Sequence, residues 1–291
     1  MRLASYDRDG TWRAGIVVGE SLVDAAAVAT HAGLDAEAAL TVKGLLGLGA
    51  DALAQLEEAA GDAGPERLPL ASLTLGPPVP DAGKVLCIGL NYRAHAGEAE
   101  LEEPSAPIVF PKWQSALIGP GATIELPAVA PDHVDWEGEI GVVIGTRAKG
   151  VSEADALAHV AGWMPFHDVS ARDLQTATSQ WAPGKACDTF GPCGPFLSLD
   201  GRLEADDLHV ETKVNGTVEQ SADSSEMIFS VAKLVSFISG WMTLEPGDII
   251  ATGTPQGVGG HRTPPVFLAP GDVVTITVGD QVLENPVAHA A

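Results

Sequence analysis

From Lys84 onward, short apolar segments alternate with turns rich in glycine and proline, and few folds accept such a chain. The 291 residues include 33 glycines and 21 prolines, which end helices and interrupt central strands. Two helices are expected here, one from a capping box at Ser152 and Asp155 and one over 229–242. The expected strands cover 84–89, 107–110, 137–145, 195–199, 208–214, 248–252 and 272–278. The pattern predicts an α+β protein that is mainly β, without alternating βαβ units.

The first 75 residues differ in texture and predict a small N-terminal α+β unit. Asp9-Gly10 is a hairpin signal between apolar segments at 2–6 and 12–18. Alanine- and leucine-rich stretches that follow favour helices. The sequence Gly-Pro-Pro-Val-Pro at 76–80 admits neither a regular helix nor a central strand. We therefore predict an accessory domain over 1–75 and a main domain over 83–285.

The charge balance argues against several classes of partner. Sixteen Lys and Arg against 39 Asp and Glu give a formal net charge of −23, which repels nucleic acid and anionic membrane surfaces. No secretory signal and no apolar run of membrane-spanning length is apparent. An odd number of cysteines favours reduced thiols and a cytoplasmic location. A small anionic substrate would need local positive charge from a metal, a lysine or an arginine.

The segment 135–145 (DWEGEIGVVIG) is an apolar strand that carries paired carboxylates. Because side chains alternate along a strand, Glu137 and Glu139 point the same way, about 7 Å apart. Two such groups raise each other's pKa unless a cation lies between them, and hard divalent cations prefer oxygen ligands. Asp168 offers a third oxygen ligand. Taken alone, the pair is better explained by an edge strand with a solvated face, and Asp168 shifts the balance towards a cation, although it is also in place to cap a helix.

The same neighbourhood contains a competing metal pattern. His133-Val134-Asp135 is an H-x-D sequence, the opening of a two-histidine, one-carboxylate iron site. His209 or His261 would complete such a site. Short patterns of this kind arise often by chance.

His95 and Glu98 stand at i and i+3, so a helical turn would place them side by side. A carboxylate beside an imidazole raises its basicity and fixes its tautomer, as a general base requires. A surface pair of little energetic value is the competing interpretation. Gly97 weakens a helix here and favours a mobile lid.

Further polar groups occur in three turn-rich segments. Lys185 is one of few lysines and lies in a loop framed by glycine and proline, which suits a fixed positive charge. Arg172 and Gln175, at i and i+3, suit a planar carboxylate. The loop 252–259 (TGTPQGVG) resembles one that presents hydroxyl and N–H groups to an anion, although it is not a P-loop.

Taken in order, six segments resemble the fumarylacetoacetate hydrolase family. They are G-x-N-Y-x-x-H-x-x-E at 89–98, F-x-K at 110–112, D-W-E-x-E at 135–139, H-D-x-S-x-R-D-x-Q at 167–175, G-K-x-x-D-T-F-G-P at 184–192 and T-G-T-P-x-G-V-G at 252–259. Six ordered matches across 83–285 are specific. The resemblance implies a mixed, strongly bent β-sheet roll with few helices, assembled as a homodimer.

The resemblance also implies roles for individual residues. It implies a Mg²⁺, Mn²⁺ or Ca²⁺ ion and a water-activating pair beside it. Lys185 would lie at the metal site with Thr189 nearby. The implied metal ligands are Glu137, Glu139 and Asp168; the implied pair is His95 and Glu98; the implied substrate contacts are Arg172, Gln175 and Thr252.

The activity implied by the resemblance is metal-dependent hydrolysis of a carbon–carbon bond in a small 2,4-dioxo acid, of acylpyruvate or fumarylpyruvate type. Ser179 falls where some family members carry a substrate-contacting tyrosine, which makes fumarylacetoacetate itself a poorer expectation. Decarboxylation of an oxaloacetate-like acid, isomerisation of a 2-hydroxydienoate and hydrolysis of a 3-deoxy-2,4-dioxo sugar acid remain open alternatives. A non-catalytic ligand-binding homologue is a remote one.

Overall fold

The computed structural model describes residues 1–62, 65–98, 102–201 and 208–290. The helices are α1 (Ala25–Ala32), α2 (Val42–Gly47), α3 (Ala50–Gly61), α4 (Arg93–Glu98), α5 (Arg172–Thr176), α6 (Ala182–Lys185) and α7 (Val231–Trp241). Short 3₁₀ turns cover Ala38–Leu40, Leu70–Ser72, Gln114–Ala116, Ala156–His159, Ser224–Glu226 and Gly259–His261. The mainly β fold with few helices that the sequence predicts is confirmed.

The strands are short, as the glycine and proline content predicts. They are β1 (Arg2–Arg8), β2 (Thr11–Val18), β3 (Ser21–Asp24), β4 (Arg67–Pro69), β5 (Val85–Gly89), β6 (Ile108–Lys112), β7 (Leu117–Ile118), β8 (Ile124–Leu126), β9 (Val134–Asp135), β10 (Gly138–Ile144), β11 (Val160–His167), β12 (Ser170–Ala171), β13 (Gly191–Pro192), β14 (Leu197–Ser198), β15 (His209–Val214), β16 (Thr217–Asp223), β17 (Ile249–Ala251), β18 (Val273–Val278) and β19 (Gln281–His289).

A ten-stranded mixed sheet forms among the described residues and holds the central strand β10. Its order is β4-β3-β2-β1-β14-β11-β10-β17-β5-β6. The pairing of β1 with β14 joins strands of the first 75 residues to those of the later chain. β10 lies between antiparallel β11 and β17 and is buried along its whole length. The solvated-edge interpretation of this strand is therefore wrong.

The two faces of β10 pack into different cores, which explains its nearly continuous apolar sequence. Ile140, Val142 and Ile144 join a core formed with α7 and a second sheet of order β16-β15-β18-β19-β8. Val143, on the opposite face, packs in a core with residues of the N-terminal helices such as Leu45. The carboxylate of Glu139 shares that face with Val143, because side chains two and four positions apart point the same way.

The helix predicted from Ser152 is wrong. One hydrogen bond of the capping box does form: the Asp155 N–H donates to the Ser152 hydroxyl at 3.3 Å. The chain then makes one 3₁₀ turn and enters β11, whose residues pair with β10 from Gly138↔His167 to Ile144↔Val160. Sheet pairing with a buried partner strand therefore overrides the local helical signal.

Other local predictions are confirmed. The hairpin around Asp9-Gly10 is β1 and β2, the alanine-rich segments are α1 to α3, and the helix over 229–242 is α7. Cys87, Cys187 and Cys193 are free thiols. Among the described residues the longest helix, α3, has 12 residues, and none has the length and hydropathy required to cross a bilayer.

Candidate active site

Three buried carboxylates converge where β10 begins and β11 ends. Glu137 directly precedes β10 and Asp168 directly follows β11, and the Asp168 N–H donates to the Glu137 carbonyl at 2.9 Å. Glu139, the second residue of β10, is fully buried. One carboxylate oxygen from each of the three lies within 4.8 Å of the others. The structure thus brings together the three groups that the sequence analysis assigned to a metal, and Asp168 is not merely a helix cap.

Three cations surround this cluster. Lys185 Nζ lies 2.6 Å from Glu137 Oε2 and 3.0 Å from Asp168 Oδ2. Lys112 Nζ lies 2.7 Å from Asp168 Oδ1, and Arg172 Nη1 lies 2.6 Å from Glu137 Oε1. Both lysines are buried. Three positive charges are therefore placed beside three carboxylates, in a protein whose net charge is −23.

The carboxylates differ in their balance of charge. Burial alone would raise the pKa of Glu137, but the charges of Lys185 and Arg172 hold it well below its ordinary value. Burial, reinforced by the charges of Asp168 and Glu137, raises the pKa of Glu139 well above its ordinary value. Glu139 is therefore the carboxylate that lacks a compensating cation.

Glu139 also provides the test of whether the site fits a metal. Its Oε2 accepts a hydrogen bond from the Gly253 N–H at 2.8 Å, whereas its buried Oε1 has no hydrogen-bond partner among the described residues. An unpartnered buried carboxylate oxygen is costly unless a cation satisfies it. An all-oxygen set of three carboxylates is the ligand chemistry of a hard divalent ion. The residues present fit Mg²⁺ or Mn²⁺.

Asp135 anchors the neighbouring loop. Its carboxylate accepts hydrogen bonds from the N–H groups of Gly259 and Gly260 at 2.7 and 2.8 Å and from Arg172 Nε at 2.8 Å. His133, by contrast, pairs with Asp173 at the surface. The H-x-D iron site is therefore wrong: its carboxylate and its imidazole serve different neighbours, and His209 pairs with Asp223 elsewhere.

The second predicted group, the His95–Glu98 pair, forms on α4. His95 Nδ1 lies 3.3 Å from Glu98 Oε2, and the histidine is buried, so this is not a solvated surface pair. Both oxygens of Glu98 accept the Gly257 N–H at 3.1 Å. Burial would raise the pKa of Glu98, but the hydrogen bonds from His95 and Gly257 lower it. A carboxylate at Nδ1 keeps the proton there and leaves Nε2 as the basic nitrogen.

A third residue, His261, joins this pair. Its ring stacks on that of His95 with centroids 5.4 Å apart and planes 21° apart, and its Nδ1 lies 3.8 Å from Glu98 Oε2. The lone pair of an imidazole nitrogen lies in the ring plane, so two nearly parallel stacked rings do not direct lone pairs at one point. This geometry favours proton sharing through Glu98 over metal binding.

A cavity of about 240 Å³ opens onto both groups. Its polar lining includes His95, Glu137, Arg172, Gln175, Lys185, Thr254 and His261. Its apolar wall includes Phe110 and Trp181, whose rings meet edge to face at 5.4 Å. A larger cavity of about 1070 Å³ is lined by Trp12, Gln114, Ser115 and residues 117–122 among others, and the described residues of its lining include no charged side chain and no histidine. The smaller cavity is therefore the candidate active site.

The predicted substrate contacts occupy different surroundings. Arg172 and Gln175 line the cavity, but Arg172 Nη1 also donates to Gln175 Oε1 at 3.0 Å, so its donors already serve side chains of the site. Thr252 is buried and donates its hydroxyl to the Ile140 carbonyl. Thr254, two residues later, lines the cavity instead. The substrate roles of Arg172, Gln175 and Thr252 remain predictions.

Thr189, expected near the metal, accepts a hydrogen bond from the Glu125 N–H at 2.8 Å. Lys112 was not predicted as a site residue, although it belongs to the matched F-x-K segment, and that membership was the available signal. His261 was considered only as a candidate iron ligand. Nothing in the sequence near His261 indicated that it meets His95 across the cavity.

Fold and site together define an enzyme whose cavity lies beside a cluster of three buried carboxylates and an imidazole–carboxylate pair. The fumarylacetoacetate (FAA) hydrolase C-terminal profile matches residues 84–288, and the chain belongs to the fumarylacetoacetate hydrolase family of enzymes. The family predicted from the six segments is thus confirmed.

Relatives and solved structures agree on this family. A mitochondrial oxaloacetate tautomerase of Bos taurus is 46% identical over 210 residues, which cover 71% of this chain and 67% of the relative. A fumarylacetoacetate hydrolase of Exiguobacterium antarcticum matches structurally with a TM-score of 0.83 at 32% identity, and a maleylpyruvate hydrolase of a Sphingobium species with 0.79 at 30%. Both structural matches cover the whole of each chain.

Proposed function

We propose that this enzyme forms the enolate of a small 2-oxo acid and that keto–enol exchange of an oxaloacetate-like acid is its main reaction. The observation that carries the proposal is one cavity whose lining includes Glu137 of the carboxylate cluster, the cations Arg172 and Lys185 that pair with it, and His95 of the imidazole–carboxylate pair. Relatives named oxaloacetate tautomerases, 46% identical over most of the chain, favour tautomerisation over the hydrolysis that the sequence analysis placed first.

Glu137, Glu139 and Asp168 would hold a Mg²⁺ or Mn²⁺ ion, with Ca²⁺ as a third candidate. When bound, such an ion supplies Lewis-acid stabilisation of an enolate oxygen. Its two positive charges would also balance Glu139, the carboxylate without a compensating cation.

The chain's own groups account for the proton transfers. His95 Nε2 removes a proton from the carbon next to the 2-oxo group, and Glu98 stabilises the imidazolium through Nδ1–H. Lys185, whose pKa burial would lower but Asp168 and Glu137 raise, stays protonated and stabilises the negative charge on the enolate. His95 then returns the proton to the enolate oxygen, which completes the keto–enol exchange without net proton uptake.

Hydrolysis of a 2,4-dioxo acid is the second candidate, and the His95–Glu98 geometry favours it. A base with Nε2 free and a carboxylate behind Nδ1 suits deprotonation of water as well as of carbon. Water would then attack the distal carbonyl, and the bond to the enolate of pyruvate would break. Decarboxylation and hydroxydienoate isomerisation pass through the same kind of enolate, so the cation site alone does not separate them.

A substrate panel tests the proposal. Oxaloacetate tautomerisation, oxaloacetate decarboxylation and hydrolysis of acylpyruvates, fumarylpyruvate and 3-deoxy-2,4-dioxo sugar acids are measured with Mg²⁺ or Mn²⁺ and with EDTA. We expect metal-dependent tautomerisation that EDTA abolishes. Glu137→Gln should lower both metal content and turnover, whereas Glu153→Gln, an exposed control, should change neither. Unchanged metal content and turnover in Glu137→Gln would contradict the proposal.

We further propose a homodimer in the cytoplasm, with a domain boundary between 75 and 83. The family resemblance supports the dimer, and the composition supports the location. The word mitochondrial in the names of the relatives describes those proteins. Light scattering after size-exclusion chromatography should give about twice the chain mass of 29.9 kDa. A monomer at micromolar concentration would contradict the dimer.

A further inference from the structure

His261 lies two residues beyond the last matched segment, lines the cavity, and stacks its ring on that of the proposed base. We propose that His261 is a positioning residue for His95, so that the acid–base group is a three-residue His95–Glu98–His261 cluster. The inference rests on the proposed function in that it assigns His95 as the base.

The helix that carries the proposed base, α4, is weak by itself. α4 has six residues and contains Gly97, and a helix of that length and composition is marginal without tertiary contacts. Two contacts described above hold its catalytic face: Glu98 accepts the Gly257 N–H, and the His95 ring stacks on His261. The position of the base therefore depends on the loop that contains Gly257 and His261.

The loop that contains Gly257 and His261 is rigid. The 3₁₀ turn Gly259–His261 is tied to the buried Asp135 by the N–H groups of both glycines, at 2.7 and 2.8 Å. The backbone is also close to its neighbours: a Cβ on Gly259 would lie 1.9 Å from the Val266 carbonyl oxygen. The His261 ring therefore has a fixed position beside a helix that is marginal by itself. Stacking on this ring fixes the position of His95 relative to the loop.

The charged groups around His261 also favour the three-residue cluster. The titratable groups that face His261 are His95 and Glu98 from α4, Asp135 from β9 and Arg172 from α5. Burial, the His95 charge and Arg172 lower the pKa of His261, against smaller opposite effects of Glu98 and Asp135. A proton on His95 therefore disfavours a second proton on His261, while both rings lie near the Glu98 carboxylate.

Kinetics of the full-length, metal-loaded enzyme test the positioning role. We expect His261→Ala to lower kcat about tenfold with KM changed less than about twofold, because a displaced base slows chemistry more than binding. His261→Phe, which keeps an aromatic stack, should recover most of that kcat. His31→Ala is the matched control, since His31 also pairs with a carboxylate, Asp62, at 3.6 Å but far from the cavity. An unchanged kcat in His261→Ala, or an equal loss of kcat in His261→Ala and His31→Ala, would overturn the proposal.

A titration of histidine-labelled protein by NMR tests the shared proton without any substrate. Replacing His95 by Gln removes the neighbouring charge and should raise the pKa of His261. A His261 pKa that does not move contradicts the three-residue cluster. If the wild type transforms no acid of the panel but this coupling is present, the proposed function fails and the cluster stands.

Discussion

At the scale of single residues, Glu139 shows how a buried acid can be prepared for a ligand. One of its oxygens is hydrogen-bonded to the Gly253 N–H and the other has no partner among the described residues. Burial and the neighbouring charges of Asp168 and Glu137 raise its pKa, so the metal-free site resists a third negative charge. A bound cation would remove that resistance, which makes Glu139 the most informative ligand to replace.

Replacing Glu139 by Gln should weaken Mg²⁺ or Mn²⁺ binding at least about tenfold and lower turnover about 10²-fold or more. The amide oxygen can still accept from Gly253, so the metal-free variant should melt at or above the wild-type temperature. Isothermal titration with the metal ion alone and thermal unfolding measure the two effects. Wild-type metal affinity in the variant would remove Glu139 from the ligand set.

Glu98 gives a prediction about acid stability. Hydrogen bonds from His95 and Gly257 lower its pKa against the effect of burial. A lowered folded-state pKa stabilises the fold above the unfolded pKa of about 4.3, and this contribution disappears as the pH falls through the folded value. The difference in unfolding free energy between wild type and Glu98→Gln should therefore be largest near pH 6–7 and shrink below about pH 4. Urea unfolding at several pH values measures it; a difference that grows on acidification would show the opposite shift.

At the scale of elements, the loop after β17 holds both halves of the site in place. The Gly253 N–H binds Glu139, and the Gly257 N–H binds Glu98. Asn91 fixes the start of this loop, because its Nδ2 donates to the Thr252 carbonyl at 2.7 Å. The same Nδ2 donates to the Phe229 carbonyl at 3.0 Å. Backbone N–H groups of the segment 252–259 therefore position a carboxylate in each half of the site.

Two glycines with nearly the same backbone conformation allow a matched test of this positioning. Gly253 has φ +101°, and a Cβ there would lie 2.7 Å from Asn91 Cβ; Gly271 has φ +96° with nothing within 4 Å. Gly271→Ala should cost about 1–2 kcal/mol of stability from backbone strain alone. Gly253→Ala should cost about 2–5 kcal/mol, because crowding adds to strain. Chemical unfolding measures both.

Metal binding separates the two glycines further. Gly253→Ala should also reduce metal affinity, since the N–H that orients Glu139 is displaced, whereas Gly271→Ala should leave it unchanged. Equal stability losses with equal metal affinities would show that the segment does not support Glu139.

At the scale of the whole molecule, the net charge of −23 opposes an anionic substrate, while Lys112, Lys185 and Arg172 place three positive charges at the buried cluster. Salt screens the outer field over about 8–10 Å and affects the buried pairs much less. We expect KM for a dianionic oxo acid to fall about two- to fivefold between roughly 10 and 150 mM salt at constant free metal, with a smaller change for a monoanion. Steady-state kinetics at several ionic strengths measures this. A KM that rises with salt would show that the cluster, not the net charge, dominates the approach of substrate.

The sequence by itself determined the local parts of this protein. Apolar segments between glycine and proline predicted most strands within a few residues, and strand periodicity placed Glu137 and Glu139 on one face, because these signals depend on neighbouring residues. Helical spacing likewise brought His95 beside Glu98. The six ordered segments identified the family.

The tertiary structure decided what depends on contacts between distant segments. It turned the residues after the Ser152 capping box into β11, because β10 offered a buried strand to pair with. It placed Lys112 against Asp168 and His261 against His95, 56 and more than 160 residues apart in sequence. No local propensity encodes these long-range contacts, which follow from the packing of the sheet. They pair acidic residues of the site with cations.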